Sequence, residues 1–240
     1  AMGLSLEDAM RYIPALLIFT CCFLAVSSGA ARRITIVDCF NMTVAPENAI
    51  VRKQGKWSMG TGGGVMVSVS EVDIKNGYIR IEKGTEGWLE AALFFKKDGT
   101  PLMVMSMKML KGSLCSVEDV VQVFEIREGV AVENASMLPI LPLDPFFKKG
   151  FAFFDKQKIG DFAHTVRITY RLPRKGAAIK ATLDMACFDW VTGRDGGAGA
   201  DMSPEDKIHI RNFLEGIQCK VIDIKWDMEE GRFIVDDACR

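Results

Sequence analysis

The side chains able to do chemistry in this chain are few and widely separated. Two histidines occur in 240 residues, His164 and His209. Neither stands in the His-Glu-x-x-His spacing that puts two imidazoles on one helix face toward zinc, so each reads as structural or exposed. Gly60-Thr61-Gly62-Gly63-Gly64 looks superficially like a phosphate loop. It runs directly into Val65-Met66-Val67, a strand pattern without the Lys-Ser/Thr pair and helix N-terminus on which phosphate binding depends. A Gly-x-Ser-x-Gly elbow is missing. Asp236-Asp237 and Glu229-Glu230 pair carboxylates, but acid–base work needs two acids in unequal environments, and a turn and a tail supply neither. Asp195 and Asp201 flank a glycine-rich loop without the regular ligand spacing of a calcium site. We therefore expect no metal and no cofactor.

Three groups of residues carry more information. Phe146, Phe147, Phe151, Phe153 and Phe154 follow the proline-rich stretch Met137 to Pro145 within a few positions. Aromatic clusters mostly build core, yet this one is also the best candidate for an apolar ligand pocket or a partner-facing groove. Arg167 and Arg171 alternate with Val166, Ile168 and Tyr170 along a period-two run, and Arg174 lies in the turn beyond. That arrangement predicts a solvated basic sheet face, or a local anion site formed by the three arginines. Finally, Cys39, Cys115, Cys187, Cys219 and Cys239 remain once the N-terminal apolar segment is set aside. None has metal-knuckle spacing. Sequence cannot select a connectivity, and Cys187 with Cys219, both on expected strands of the C-terminal half, is the first disulfide pair to examine.

The elements that must position these groups are mainly hairpins. Val65 to Ile74, Asn76-Gly77 and Ile79 to Glu82 read as strand, turn and strand, because Asn-Gly accepts the positive φ of a tight hairpin turn. Trp88 to Phe95 and Leu102 to Met109 repeat this around Asp98-Gly99, and Val120 to Ile126 and Val130 to Glu133 repeat it around Glu128-Gly129. A short helix over Val117 to Phe124, capped by Ser116, is the alternative for the last of these. Ala163 to Leu172 and Ala177 to Cys187 form another pair. Ser203 as N-cap, Pro204 in the first turn and the acids Glu205 and Asp206 open one clear helix, which leads into a final hairpin of Lys220 to Trp226 and Arg232 to Val235. The expected fold is α+β, predominantly antiparallel β-hairpins with few helices, after an N-terminal hydrophobic leader. Prolines at 139, 142 and 145 suggest a boundary between a β-rich half, 31–138, and an α+β half, 139–240, which can also form one continuous domain.

The leader is the strongest clue to location. Ile13 to Val26 is apolar apart from Pro14 and Thr20, shorter than the roughly 20 residues of a spanning helix, and Ser28-Gly29-Ala30 offers a small-x-small exit. We read 1–30 as upstream residues and a signal peptide starting at Met10, with an uncleaved membrane anchor as the alternative. Cleavage after Ala30 removes Arg11, Glu7 and Asp8 from the 30 basic and 31 acidic side chains and leaves 29 of each. A neutral chain lacks the clustered positive charge of a nucleic-acid binder. The expectation is an exported, non-enzymatic binding or interaction protein whose partner is an unknown protein or a small apolar ligand, touching the membrane only through its leader. The alternative is a hydrolase or transferase whose carboxylates, dispersed in sequence, converge in a cleft.

Overall fold

The computed structural model describes residues 34–61, 64–82, 87–113, 115–152, 155, 160–194 and 202–236. The expected leader, residues 1–30, together with Phe153, Phe154, the glycine-rich segment 195–200 and Cys239, lies outside the described residues. The chain divides into a unit of residues 1–34 and a compact unit of residues 35–240, and the second carries the fold.

Thr35 starts helix α1 (Ile36–Thr43) with a capping box: its hydroxyl accepts from the Asp38 N–H, and the Asp38 carboxylate accepts from the Thr35 N–H. Ile36, Cys39 and Phe40, spaced at i, i+3 and i+4, are buried along one side of that helix. Strands β1 (Ile50–Lys53), β2 (Lys56–Gly60) and β3 (Met66–Ser68) form a three-stranded sheet. The next six strands make one antiparallel meander: β4 (Glu71–Asp73), β5 (Tyr78–Glu82), β6 (Gly87–Phe95), β7 (Pro101–Ser113), β8 (Ser116–Arg127) and β9 (Val130–Glu133). A second meander of four strands closes the chain: β10 (Arg167–Arg171), β11 (Ala178–Asp184), β12 (Val221–Asp227) and β13 (Arg232–Val235). Helices α2 (Ala186–Val191) and α3 (Pro204–Gly216) lie between β11 and β12. No helix among the described residues is long and apolar enough to cross a membrane.

The six-stranded sheet is apolar on both faces. Tyr78, Ala92, Phe94, Leu102, Val104 and Val123 join Ile179, Ala181, Leu183, Ile222 and Ile224 of the four-stranded sheet in one buried cluster, while Ile79 and Ala91 alternate with the first set and α1 packs near β5, β6, β7 and β9. Residues from both sides of the proline stretch thus share one core.

The fold is the expected α+β array of antiparallel hairpins with few helices, and several details differ from the sequence expectation. Val65 to Ile74 is not one strand: β3 belongs to the sheet of β1 and β2, whereas β4 begins the six-stranded sheet. Among the described residues, the two-residue turns with positive φ at both central positions are Gln54-Gly55 (50° and 80°) and Glu128-Gly129 (51° and 77°). At Asn76-Gly77 only the glycine turns left-handed, because Asn76 instead donates its backbone and side-chain N–H groups to Asp73. Val117 to Phe124 is strand, held in register against β7. Residues 160–165 form a 3₁₀ segment, so β10 is shorter than the alternation suggested and His164 sits outside it, exposed. Cys187 lies on α2 rather than on a strand.

Candidate functional site

A surface cleft of about 570 Å³ opens where the proline-rich connection meets the four-stranded sheet. Its making is local. After Pro142 the chain turns at Leu143, whose backbone is α-helical (φ −74°, ψ −25°), into a one-turn 3₁₀ segment, Asp144–Phe146, with Pro145 inside it, and this sets Phe146 and Phe147 side by side. Phe146 is fully buried in the shared core. Phe147 bridges to Ile217 just beyond α3, with the Lys148 N–H donating to Gly216 O and the Gln218 N–H to Phe146 O. The Phe151 ring stacks on Phe147, centroids 5.1 Å apart and planes 10° from parallel, and Phe147 in turn meets Phe213 edge-on at 5.5 Å. Pro142, Pro145, Phe147, Phe151, Ile222 and Val235 supply the apolar lining; Asp144, Lys148, Lys149, Gln218 and Asp236 supply the polar one.

Gly216, in the last turn of α3, decides the shape of that wall. An added Cβ would run into Cε2, Cζ and Cδ2 of Phe151, so the ring rests directly on backbone. At the mouth, Lys148 and Lys149 are exposed, and among the described residues no carboxylate pairs with either. Asp236 is answered by Lys225 at 2.6 Å, which leaves Asp144 as the acid facing two lysines. The cleft thus offers stacked rings beside a surplus of positive charge.

Of the residues singled out by sequence, Phe151 lines the cleft, Phe147 borders it while itself buried in the core at 4% exposure, Phe146 is core beneath it, and Phe153 and Phe154 lie outside the described residues. The three arginines do not converge on an empty anion site, nor do they lie on a merely solvated face. Arg171 donates to Glu90 at 3.0 Å and stacks 3.9 Å over the Trp88 ring. Arg174 meets Glu71 at 2.7 Å and Asp73 at 3.1 Å, and Arg167 donates to the Cys115 carbonyl at 2.9 Å. The reason is position: β10 is an edge strand whose Tyr170 carbonyl accepts from Ser106 of β7, so its arginines reach the acids of the six-stranded sheet.

The residues that sequence reasoning passed over are those acids. Glu90 is 1% exposed and takes three donors: Arg80 at 3.1 Å, Arg171 at 3.0 Å and the Leu172 N–H at 2.9 Å. The neighbouring Tyr78 hydroxyl is pushed up to about 12 by burial and by the Glu90 charge. Asp73 is held at about 2, first by the Asn76 hydrogen bonds and then by Arg174. A further group gathers Asp119, Lys108, Asp184 and Arg167. Lys108 and Asp184 pair at 2.5 Å, and burial raises the Asp119 carboxyl above its usual range, with Asp184 adding to the rise while Lys108 and Arg167 oppose it. An isolated Glu among apolar residues in Leu89-Glu90-Ala91-Ala92 was the available signal for Glu90.

Close to that group, Cys115, in the turn between β7 and β8, forms a disulfide with Cys187 of α2, their Cα atoms 4.7 Å apart. The expected Cys187–Cys219 pair is therefore not formed. Cys187 has left the strand for the helix that faces the β7–β8 turn, and Cys219 is disulfide-bonded elsewhere. Cys39 is a buried thiol in α1, raised to about 12 by burial and by its neighbour Asp38. No group of three or more His, Cys, Asp or Glu among the described residues is arranged to hold a metal.

Fold and site together define an α+β protein of antiparallel sheets with an aromatic surface cleft. No family model matches the chain, and no curated protein matches it. Among solved structures it is similar to a domain of an uncharacterized protein from Porphyromonas gingivalis W83, at 12% identity over 78% of each chain, with a TM-score of 0.47.

Proposed function

We propose that this is an exported, non-enzymatic binding protein that takes an apolar group with an anionic end in the Phe147–Phe151 cleft. The observation that carries the reading is the partly exposed Phe151 ring stacked on the buried Phe147, beside a mouth where Lys148 and Lys149 face the single acid Asp144. Apolar pockets with a few oriented polar groups are the usual form of small-ligand sites. Export is supported by the Cys115–Cys187 disulfide, since such bonds persist in oxidising compartments, together with the leader-like sequence at the N-terminus. The test uses anilinonaphthalene sulfonate, whose rings and sulfonate match the two features. Saturable binding that perturbs the Phe147 and Phe151 ring signals in NMR, and that is lost in Phe151→Ala and weakened in Lys148→Glu, is expected. Binding that leaves those rings unperturbed overturns the assignment. Mass spectrometry of the protein recovered from its native host should give a chain beginning near Ala31; an intact N-terminus in a reduced, cytoplasmic fraction overturns export.

A second reading, a hydrolase or transferase, has one observation in its favour. Asp119 and Asp184, distant in sequence, converge beside Lys108 and Arg167, and Asp119 is the protonation-shifted member. It requires a turnover that falls in Asp119→Asn while the fold is retained. Unchanged turnover in that variant removes the assignment.

A further inference from the structure

We propose that the protein pairs with a second copy of itself along the open edge of β13, antiparallel about a two-fold axis at Ile234, joining two four-stranded sheets into one of eight. Among the described residues β13 has β12 as its only strand neighbour. The phase of that ladder is fixed: the Asp236 N–H donates to Asp223 O at 2.8 Å, and Val235 stands opposite Ile224. In an antiparallel pair hydrogen-bonded positions alternate, so Arg232 and Ile234 also bond toward β12, and the main-chain groups of Phe233 and Val235 point away from it. These are the groups a further strand would meet.

A dyad at Ile234 satisfies them. It places Phe233 opposite the partner's Val235, and Val235 opposite the partner's Phe233, two pairs in which both members present outward-facing N–H and C=O groups. Ile234 then meets the partner's Ile234 across a non-hydrogen-bonded position, covering a side chain that is 40% exposed in the single chain. Period two puts Arg232 and Asp236 on the same face as Ile234, and the dyad sets Arg232 opposite the partner's Asp236, an attractive cross-strand pair made twice and added to the Lys225–Asp236 and Arg232–Glu230 pairs within each chain.

Charge complementarity distinguishes this edge from those of β10 and β4. The same operation on β10, about Thr169, sets Arg167 opposite the partner's Arg171; on β4, about Val72, it sets Glu71 opposite the partner's Asp73. Like charges facing each other are a device by which proteins keep edges from self-pairing. β13 carries opposite charges at the equivalent positions.

The test is the oligomeric state of the full chain, by sedimentation equilibrium, with circular dichroism confirming the fold of each variant. The native chain should sediment with the mass of two copies. Asp236→Arg should give one copy, and the exchange Arg232→Asp with Asp236→Arg should return two. Ile234→Cys reads the register independently of charge: the dyad brings these Cα atoms to about 4.5 Å, within disulfide reach, so mild oxidation should link two chains through residue 234. A native chain that sediments as one copy overturns the proposal. So does a dimer that persists in Asp236→Arg, or a folded Ile234→Cys chain that links through no bond at residue 234.

Discussion

The Phe151 ring shows how one missing side chain shapes a site. Its edge lies where a Cβ on Gly216 would be, and the atoms in the way, Cε2, Cζ and Cδ2, are the outer end of a partly buried side chain rather than backbone, so the ring can yield by turning aside. Gly216→Ala should therefore cost little stability, about 1 kcal/mol, at the low end of overpacking effects. The same swing would take Phe151 off Phe147 and remove a wall of the cleft, so probe binding should fall far more than the melting temperature does; equal losses in the two measurements would mean the ring is anchored elsewhere. Asp119 gives a second residue-scale test. Its folded protonation equilibrium is raised by burial above the unfolded value, so the ionised form is the costly one in the native state. No penalty exists below the unfolded value near 3.8, where both states are protonated, and it grows as pH rises through the raised folded value. Asp119→Asn should accordingly melt higher than the native chain at pH 7, with the difference closing toward pH 3. An unchanged difference across that range would show that the group is not the titrating one.

At the scale of elements, the Cys115–Cys187 bond fastens the end of the long β7–β8 hairpin to α2, with 72 residues of sequence separation between them. Closing a loop of that length removes enough freedom from the unfolded chain to be worth about 4 kcal/mol on the chain-entropy model. The Cys115→Ala, Cys187→Ala double variant should unfold at correspondingly lower denaturant, and a midpoint within error of the native one would show that α2 is held by its Phe188 packing alone. This bond also marks where sequence reading stops. Hairpins whose strands are joined by a short turn were legible, as at Asp98-Gly99 and Glu128-Gly129, because turn chemistry and period-two burial are local signals. The α3 start was legible for the same reason, Ser203 being an N-cap ahead of Pro204. What was not legible depends on contacts between distant segments. The three-stranded sheet and α1 were missed because Ile36 to Gly60 is short and weakly patterned until it packs on the six-stranded sheet. Cys187 was misassigned because whether the chain leaves β11 into a strand or a helix is settled by Phe188 entering the core. The cleft was half legible: the Phe146 to Phe151 cluster could be seen as a possible pocket, but not which ring is core and which is wall.

At the scale of the whole molecule, the two large sheets share an apolar core and are also joined by a buried carboxylate. Glu90 on β6 takes Arg80 from its own sheet, and Arg171 and the Leu172 N–H from the four-stranded sheet, so one side chain spans the joint. Its burial would be prohibitive if it stood alone, since a carboxylate with 1% exposure has lost nearly all its water. The three donors replace that water, and Arg171 is further held by the Trp88 ring. Such a group specifies how the sheets align more than how strongly they adhere, because an apolar replacement of the whole network can leave stability unchanged, whereas removal of the arginines leaves Glu90 buried and unmatched. The two cases separate experimentally. Glu90→Ala should cost about 1–3 kcal/mol, because it leaves the buried Leu172 N–H without an acceptor while Arg80 and Arg171, about a third exposed, can rehydrate, and Glu90→Gln less, since its amide oxygen can still accept from the Leu172 N–H. In a double-mutant cycle with Arg171→Met, the combined loss should fall well short of the sum, because Arg171 costs little once the acid it serves is gone. Strict additivity in that cycle would mean that the β6–β10 joint is held by the apolar core alone, and that Glu90 answers only to Arg80 within its own sheet.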